Sequence, residues 1–341
     1  MSNCDNHWAL VLAAGDGRRL QGLTRTASGT VVPKQFCTLN GGLSFLEETV
    51  RRAQTVVPRE RICAVVASQH VPHWAPLLDS MPLNNIIAQP RNRGTAIGIL
   101  LPLLQIMRRD PAARILLLPS DHHVRSEGRL AAALRAAMGS TEANIVLLGF
   151  EPDHVDTELG YIVPEHAQDG MFPAVSRFVE KPPAAEARQL IRQGALWNAF
   201  IIAADAATLL RLFERRCPEV VAKMRRLIQL EPKNEFPSGS LSELYDELPD
   251  LDFSRDILQG QERHLRMLAV PECGWSDLGT PERVAAALHA LNDRGTAPKP
   301  IPKSRSVVNL AARHALLCSL AEPSGYHNTT RAVAVFPQAT T

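Results

Sequence analysis

The chain has 341 residues, 45% of them hydrophobic and 21% charged, values of a globular protein with a full core. Its formal net charge of +2 supplies no strong field for nucleic acid or an anionic membrane, and no run of about 18 apolar residues is present to span a bilayer. The length suits one large α/β domain with a small extra piece, or two modest domains. The polar start Met1–Trp8 lacks the basic and apolar regions of a signal peptide, which predicts a cytoplasmic protein. Cys4, Cys37, Cys63, Cys217, Cys273 and Cys318 form no CxxC pair and no zinc spacing, so they read as small apolar or surface residues.

Trp8–Ala14 is a continuous apolar run ending at a glycine, as in a strand buried on both faces. A helix follows over Phe45–Val57 with Ser44 as N-cap. Arg61–Ala67 and Asn85–Gln89 read as strands. Thr95–Arg108 reads as an apolar helix that Pro102 kinks or cuts. Arg114–Pro119 is a strand, Leu130–Met138 a helix and Asn144–Gly149 a strand. This alternation predicts an α/β fold with a mainly parallel sheet covered on both faces by helices. Ligands of such sheets bind beyond the carboxyl ends of the strands, here after Ala14, near Gln89 and at Pro119-Ser-Asp121.

The second half reads as strands at Gly160–Val163, Val175–Val179 and Leu196–Ala203, and helices at Pro183–Arg192 and Asp205–Cys217. Pro218–Pro249 is polar and helical in parts, and His264–Val270 is a strand returning to the sheet. Thr280-Pro-Glu-Arg283 opens a capped helix. After Asn292 the composition changes. The division is a catalytic domain over 1–294, then a proline-rich linker and small C-terminal extension over 295–341.

Several motifs carry chemistry. Gly15-Asp16-Gly17-Arg18-Arg19-Leu20 follows the first strand; its glycines let backbone N–H groups approach a phosphate, and its arginines add charge-assisted contacts. A dinucleotide fingerprint would need glycine at Leu20, and a P-loop would need Gly-Lys-Ser/Thr. Lys34, between Pro33 and Gln35-Phe36, is a candidate phosphate ligand. In Gln89-Pro-Arg-Asn-Arg-Gly94-Thr95, Gln89 offers a donor and an acceptor to a base edge, and Gly94 permits close approach. Asp121, at a strand end, can hold Mg2+. His122 and His123 face opposite ways on a strand and cannot easily share an ion. Glu180-Lys181-Pro182, Trp197-Asn198 and Gly274–Thr280 follow, with Asp277 the natural second carboxylate. Each has a plain structural alternative: a turn, a cap, an ion pair or a core ring.

Their order is more specific than any one of them. The chain resembles the sugar nucleotidyltransferase family, and within it the mannose-1-phosphate guanylyltransferase branch, over about residues 8 to 290. The G-x-G-x-R-L pattern matches at Gly15, Gly17, Arg19 and Leu20, P-K-Q-F at 33–36, N-R-x-T-A at 92–96 and P-[AS]-D-H at 119–122. Gly160-Tyr-Ile162, Phe178–Pro182, Trp197-Asn198 and Trp275–Gly279 follow in the family's order. The resemblance implies a Rossmann-like (GT-A-like) α/β fold with a mixed, mainly parallel sheet flanked by helices, and transfer of a nucleotide from an NTP, GTP in that branch, to a sugar-1-phosphate, mannose-1-phosphate in that branch, with release of pyrophosphate. It implies that Gly15, Asp16, Gly17, Arg18 and Arg19 bind the triphosphate, that Lys34 contacts phosphates at the reacting centre, and that Gln89, Gly94 and Thr95 surround the base. Asp121 and Asp277 would hold Mg2+, Gly160, Glu180 and Asn198 the sugar, and Lys181 the sugar phosphate. The alternatives are a nucleotide-sugar-dependent glycosyltransferase, whose D-x-D is absent at Asp121-His-His, and a non-catalytic nucleotide-sugar sensor. Three departures stand out. Gly22 replaces the proline of L-x-P-L, Ala199-Phe200 replaces the [ST]-G of W-N-[ST]-G, and the tail matches neither an isomerase domain nor a left-handed β-helix. That tail is a candidate interface between copies of the chain.

Overall fold

The computed structural model describes residues 6–292, apart from 27, 142–143, 166–169 and 231–238. The expected linker and extension at 295–341, with Cys4 and Cys318, lie outside the described residues. The apolar stretches form β1 (His7–Ala13), β2 (Ile62–Ala67), β3 (Ile86–Gln89), β4 (Arg114–Pro119), β5 (His123–Val124) and β6 (Ile145–Phe150). They continue with β7 (Gly160–Pro164), β8 (Val175–Val179), β9 (Leu196–Asp205), β10 (Arg266–Ala269) and β11 (Trp275–Ser276).

Among the described residues, nine strands make one sheet with the spine β10-β6-β9-β4-β1-β2-β3, and β7 pairs with β8 and β9. β1 is parallel to β2 and β4, β2 to β3, and β10 to β6. β9 is antiparallel to β4, β6 and β7, and β8 to β7. The sheet is therefore mixed and mainly parallel, with only β8 and β9 running against the rest. Side chains alternate between two cores, as a pleated strand requires. Ala9, Val11, Ile62, Ala64, Leu116 and Leu118 face one core, and Leu10, Cys63, Val65, Ile115 and Leu117 the other.

Helices Phe45–Ala53, Glu127–Met138, Ala184–Arg192 and Pro281–Asn292 cover the first face. Helices Gly94–Arg109, Ala206–Arg216, Pro218–Leu230 and Gly239–Glu247 cover the second. Ser44 caps the first of these in a full capping box with Glu47. The Gly94–Arg109 helix runs unbroken through Pro102. The missing N–H there orphans the Gly98 carbonyl, and ten buried residues keep the helix seated on the sheet despite it.

The start of this helix is fixed by a neighbouring loop. Ala96 N–H donates to the Leu251 carbonyl at 3.0 Å, and Phe253 N–H donates to Thr95 Oγ1 at 2.8 Å. Gly94 has φ +80°, and a Cβ there would lie 2.2 Å from the Leu251 oxygen. Gly94→Ala is therefore expected to destabilise the fold by more than the roughly 1–2 kcal/mol of a left-handed backbone alone, read from the urea midpoint. Gly128→Ala is the control: nothing lies within 4 Å of its Cβ position, and it should stabilise by about 0.5–1 kcal/mol. Equal midpoints for the two variants would contradict the packing described.

Candidate active site

The carboxyl edge of the sheet collects residues far apart in sequence. Beyond β1 the chain turns through Gly15–Gly17 into a short turn, Arg18–Leu20. Gly17 has φ +61°, and a Cβ there would sit 2.9 Å from the Lys34 backbone nitrogen, so the loop lies directly on the Pro33–Phe36 turn. Gln35 fastens the two: its buried amide donates to the Ala13 carbonyl at 3.1 Å and the Gly15 carbonyl at 2.7 Å. The side chain of Arg18 lies outside the described residues.

Lys34 is only 4% exposed. Its Nζ donates to the Asp277 backbone carbonyl at 2.6 Å and pairs with Asp121 Oδ2 at 2.8 Å. The two aspartates meet because β5 and β11 form a small antiparallel ribbon, Ser276 opposite His123. Continuing that register sets Asp277 level with His122. Burial works to raise the Asp121 carboxyl, but Lys34, His122 and Arg19 outweigh it and hold it down at about 2. Burial pushes His122 down to about 4, so this imidazole is neutral at pH 7, and its Nδ1 accepts from Trp275 Nε1 at 3.2 Å. Asp277 Oδ1 accepts from Gly279 N–H at 2.9 Å and from Arg283. Its Oδ2 is buried without a hydrogen-bond partner.

A second cluster arises from strand register. Gly160 pairs with Asn198 across β7 and β9. Tyr161 pairs with Val179, which sets Gly160 level with Glu180. Glu180 Oε2 is buried without a hydrogen-bond partner. Burial, then the nearby Asp252, raises the Glu180 carboxyl to about 7. Lys181 holds a left-handed backbone at φ +50°, and its half-exposed ammonium lies 4.0 Å from Glu158 Oε2. Arg19 approaches the same carboxylate at 3.9 Å and Asp277 Oδ2 at 3.7 Å. Both cations are about half exposed, and their pairs with the equally exposed Glu158 are weak.

One cavity of about 110 Å3 joins the clusters, lined by Arg19, Asp121, Glu158, Gly160, Glu180, Asn198, Phe200 and Asp277 among others. Neither Lys34 nor Lys181 lines it, but Lys34 pairs with the lining residue Asp121 and Lys181 approaches the lining residue Glu158. Gln89, Gly94 and Thr95 line neither this cavity nor the adjoining groove of about 790 Å3. Gln89 is buried against Tyr245, whose hydroxyl donates to Oε1 at 3.4 Å. Asp16 faces His70 at 3.7 Å.

The motif search passed over four contributors. Gln35 fixes the first loop. Glu158 lies between Arg19 and Lys181. Tyr161 donates to the Asp156 carbonyl at 2.9 Å. Arg283 joins Asp156 to Asp277. Gln35, Tyr161 and Arg283 stand inside motifs of the sequence, but only the fold shows what they reach.

Glu180 sets a pH test. A folded-state carboxyl raised to about 7 holds its proton where the unfolded one, near 4.3, has lost it. Stability from this group is thus lost as pH rises through about 7. Glu180→Gln is expected to raise the thermal midpoint over wild type more at pH 8 than at pH 5; the same gain at both would contradict the assignment.

Residues 8–294 match the family profile Nucleotidyl transferase. The chain is 30% identical over 286 residues to the mannose-1-phosphate guanylyltransferase of Escherichia coli K12, covering 80% of this chain and 58% of that protein. It is 28% identical over 276 residues to the xanthan biosynthesis protein XanB of Xanthomonas campestris pv. campestris B100. The chain thus spans under three fifths of these relatives. A solved structure described as mannose-1-phosphate geranyltransferase from Thermus thermophilus superposes with a TM-score of 0.70 at 30% identity, covering 82% of this chain and 79% of that one. UDP-glucose pyrophosphorylase, at 14% identity and TM-score 0.54, shares the fold. With the profile spanning nearly all the described residues, the chain belongs to the nucleotidyl transferase family.

Proposed function

We propose that this protein is a sugar-1-phosphate nucleotidylyltransferase, joining an NTP and a sugar-1-phosphate into an NDP-sugar with release of pyrophosphate. The observation that carries this reading is one cavity bearing Arg19, Asp121, Glu180, Asn198 and Asp277, with Lys34 and Lys181 at its margins. GTP and mannose-1-phosphate are the proposed pair, from the motifs and the named relatives.

The reaction brings two anions together. A phosphate monoester dianion is already a competent nucleophile, so its oxygen attacks the α-phosphorus in line without a general base. Catalysis is then positioning and charge neutralisation. Gly15–Arg19 would hold the triphosphate, Lys34 the phosphates at the reacting centre, and Lys181 the sugar phosphate. Gly160, Glu180 and Asn198 would hold the sugar, and Gln89, Gly94 and Thr95 would lie towards the base. The donor set fits Mg2+: the unpartnered Asp277 Oδ2 and the Asp121 carboxylate are the one or two carboxylates this ion takes before phosphate oxygens and water complete its shell. Bound there, it would neutralise phosphate charge.

Pyrophosphate release is measured with each NTP against a panel of sugar-1-phosphates. Release without a further acceptor supports this reading. Nucleotide-sugar binding without release would instead indicate a sensor, and sugar transfer to an acceptor a glycosyltransferase. Arg19→Ala and Lys181→Ala are each expected to lower turnover about 10²–10³-fold, the usual loss for one preorganised donor. Turnover within about threefold of wild type would remove that residue from the proposed machinery. Chelation should abolish release and added Mg2+ restore it; full activity of Asp121→Asn in chelator would refute the metal role.

A further inference from the structure

We propose that Phe200 is the residue that sets which sugar phosphate this chain accepts, its ring forming an aromatic wall of the sugar subsite where the family pattern has glycine. The proposal rests on the nucleotidylyltransferase reading above and adds to it a selectivity specific to this sequence.

β4 pairs with β9 only from Ile202 to Asp205, and β7 pairs with it only from Leu196 to Asn198. Residues 199–201 lie between these partners. On the other edge the register with β6 shifts here: Leu147 faces Ile202, whereas Gly149 faces Asn198. Three β9 residues therefore oppose the single residue Leu148, which is a bulge. Bulges next to active sites re-aim a side chain.

Phe200 is the centre of that bulge. Its φ is +59°, a left-handed conformation that costs an L-residue roughly 1–2 kcal/mol and glycine almost nothing. Two contacts hold it there. Its N–H donates to Asn198 Oδ1 at 3.1 Å, and its ring meets Phe253 edge-on at 5.7 Å. The ring is half-buried and lines the cavity with Asn198, Glu180 and Gly160. Among the described lining residues it is the one Phe, Tyr or Trp ring. The chain thus keeps the backbone that glycine allows while placing there the bulk that glycine lacks. Strain kept in place beside a cavity points to a use for the side chain. An aromatic wall offers apolar contact to the C–H face of a pyranose and leaves no room for a large ring substituent.

Kinetics of wild type, Phe200→Gly and Phe200→Leu against unsubstituted and N-acetylated hexose-1-phosphates test this. Phe200→Gly suits the backbone, and its thermal midpoint reports any lost packing on Phe253. The expected result is at least about a tenfold fall in the kcat/KM ratio of the preferred sugar phosphate over its rivals. The fall lies mainly in KM for the sugar phosphate, and KM for the NTP stays within about twofold. Phe200→Leu retains bulk and is expected to retain most of the discrimination. An unchanged ratio in active, folded Phe200→Gly overturns the proposal. Failure of wild type to release pyrophosphate with any sugar phosphate overturns the underlying reading, and this inference with it.

Discussion

Lys34 Nζ lies 2.8 Å from Asp121 Oδ2 and donates to the Asp277 carbonyl at 2.6 Å. One buried ammonium thereby ties together three segments, two of them 243 residues apart. An uncompensated charge so deep would cost several kcal/mol, so the fold that buries Lys34 must also deliver its two acceptors. The β5–β11 ribbon delivers them by aligning the Asp121 and Asp277 loops. Gln35, one residue further on, pins the glycine loop to the same turn. The glycine loop, the two carboxylates and the buried cation are therefore positioned by one short turn, Lys34–Phe36.

The remainder of the cavity depends on the antiparallel strand β9. Running against β4, it carries Asn198 to the edge where the parallel strands end, and β7 then brings Gly160 and, through β8, Glu180 beside it. Among the described residues, three that are not glycine hold left-handed backbones: Lys181, Phe200 and Leu278. Each lines this cavity or adjoins a residue that does. Strain of this kind persists only where the surroundings over-determine it. Here β7, the bulge in β9 and the Asp277 turn do so.

Much of this was legible in the sequence. Both-face burial made β1, β2, β4 and β6 readable as apolar runs, and Ser44 with Glu47 marked a helix start. The glycine loop, Asp121, Glu180, Asn198 and Asp277 stand out in the sequence as motifs, and the structure brings the last four to one cavity. Other features depend on long-range pairing. The two-residue strands β5 and β11 carry too little periodicity to be seen. Arg283 sits in an ordinary first helical turn, and only the packing of that helix turns it towards Asp156 and Asp277. Gly94 read as a place of close approach, and the partner that fills it is the Leu251 backbone. Pro102 read as a kink or a break, and of these the break does not occur: tertiary burial carries the helix past it.

The central claim is that the Lys34 ammonium organises the reacting centre. Pyrophosphate release by Lys34→Met, compared with wild type at saturating NTP and sugar-1-phosphate, tests it most directly, with thermal unfolding to establish that the variant is folded. The account predicts a fall in turnover of at least about 10²–10³-fold. A folded Lys34→Met protein turning over within about threefold of wild type would contradict it.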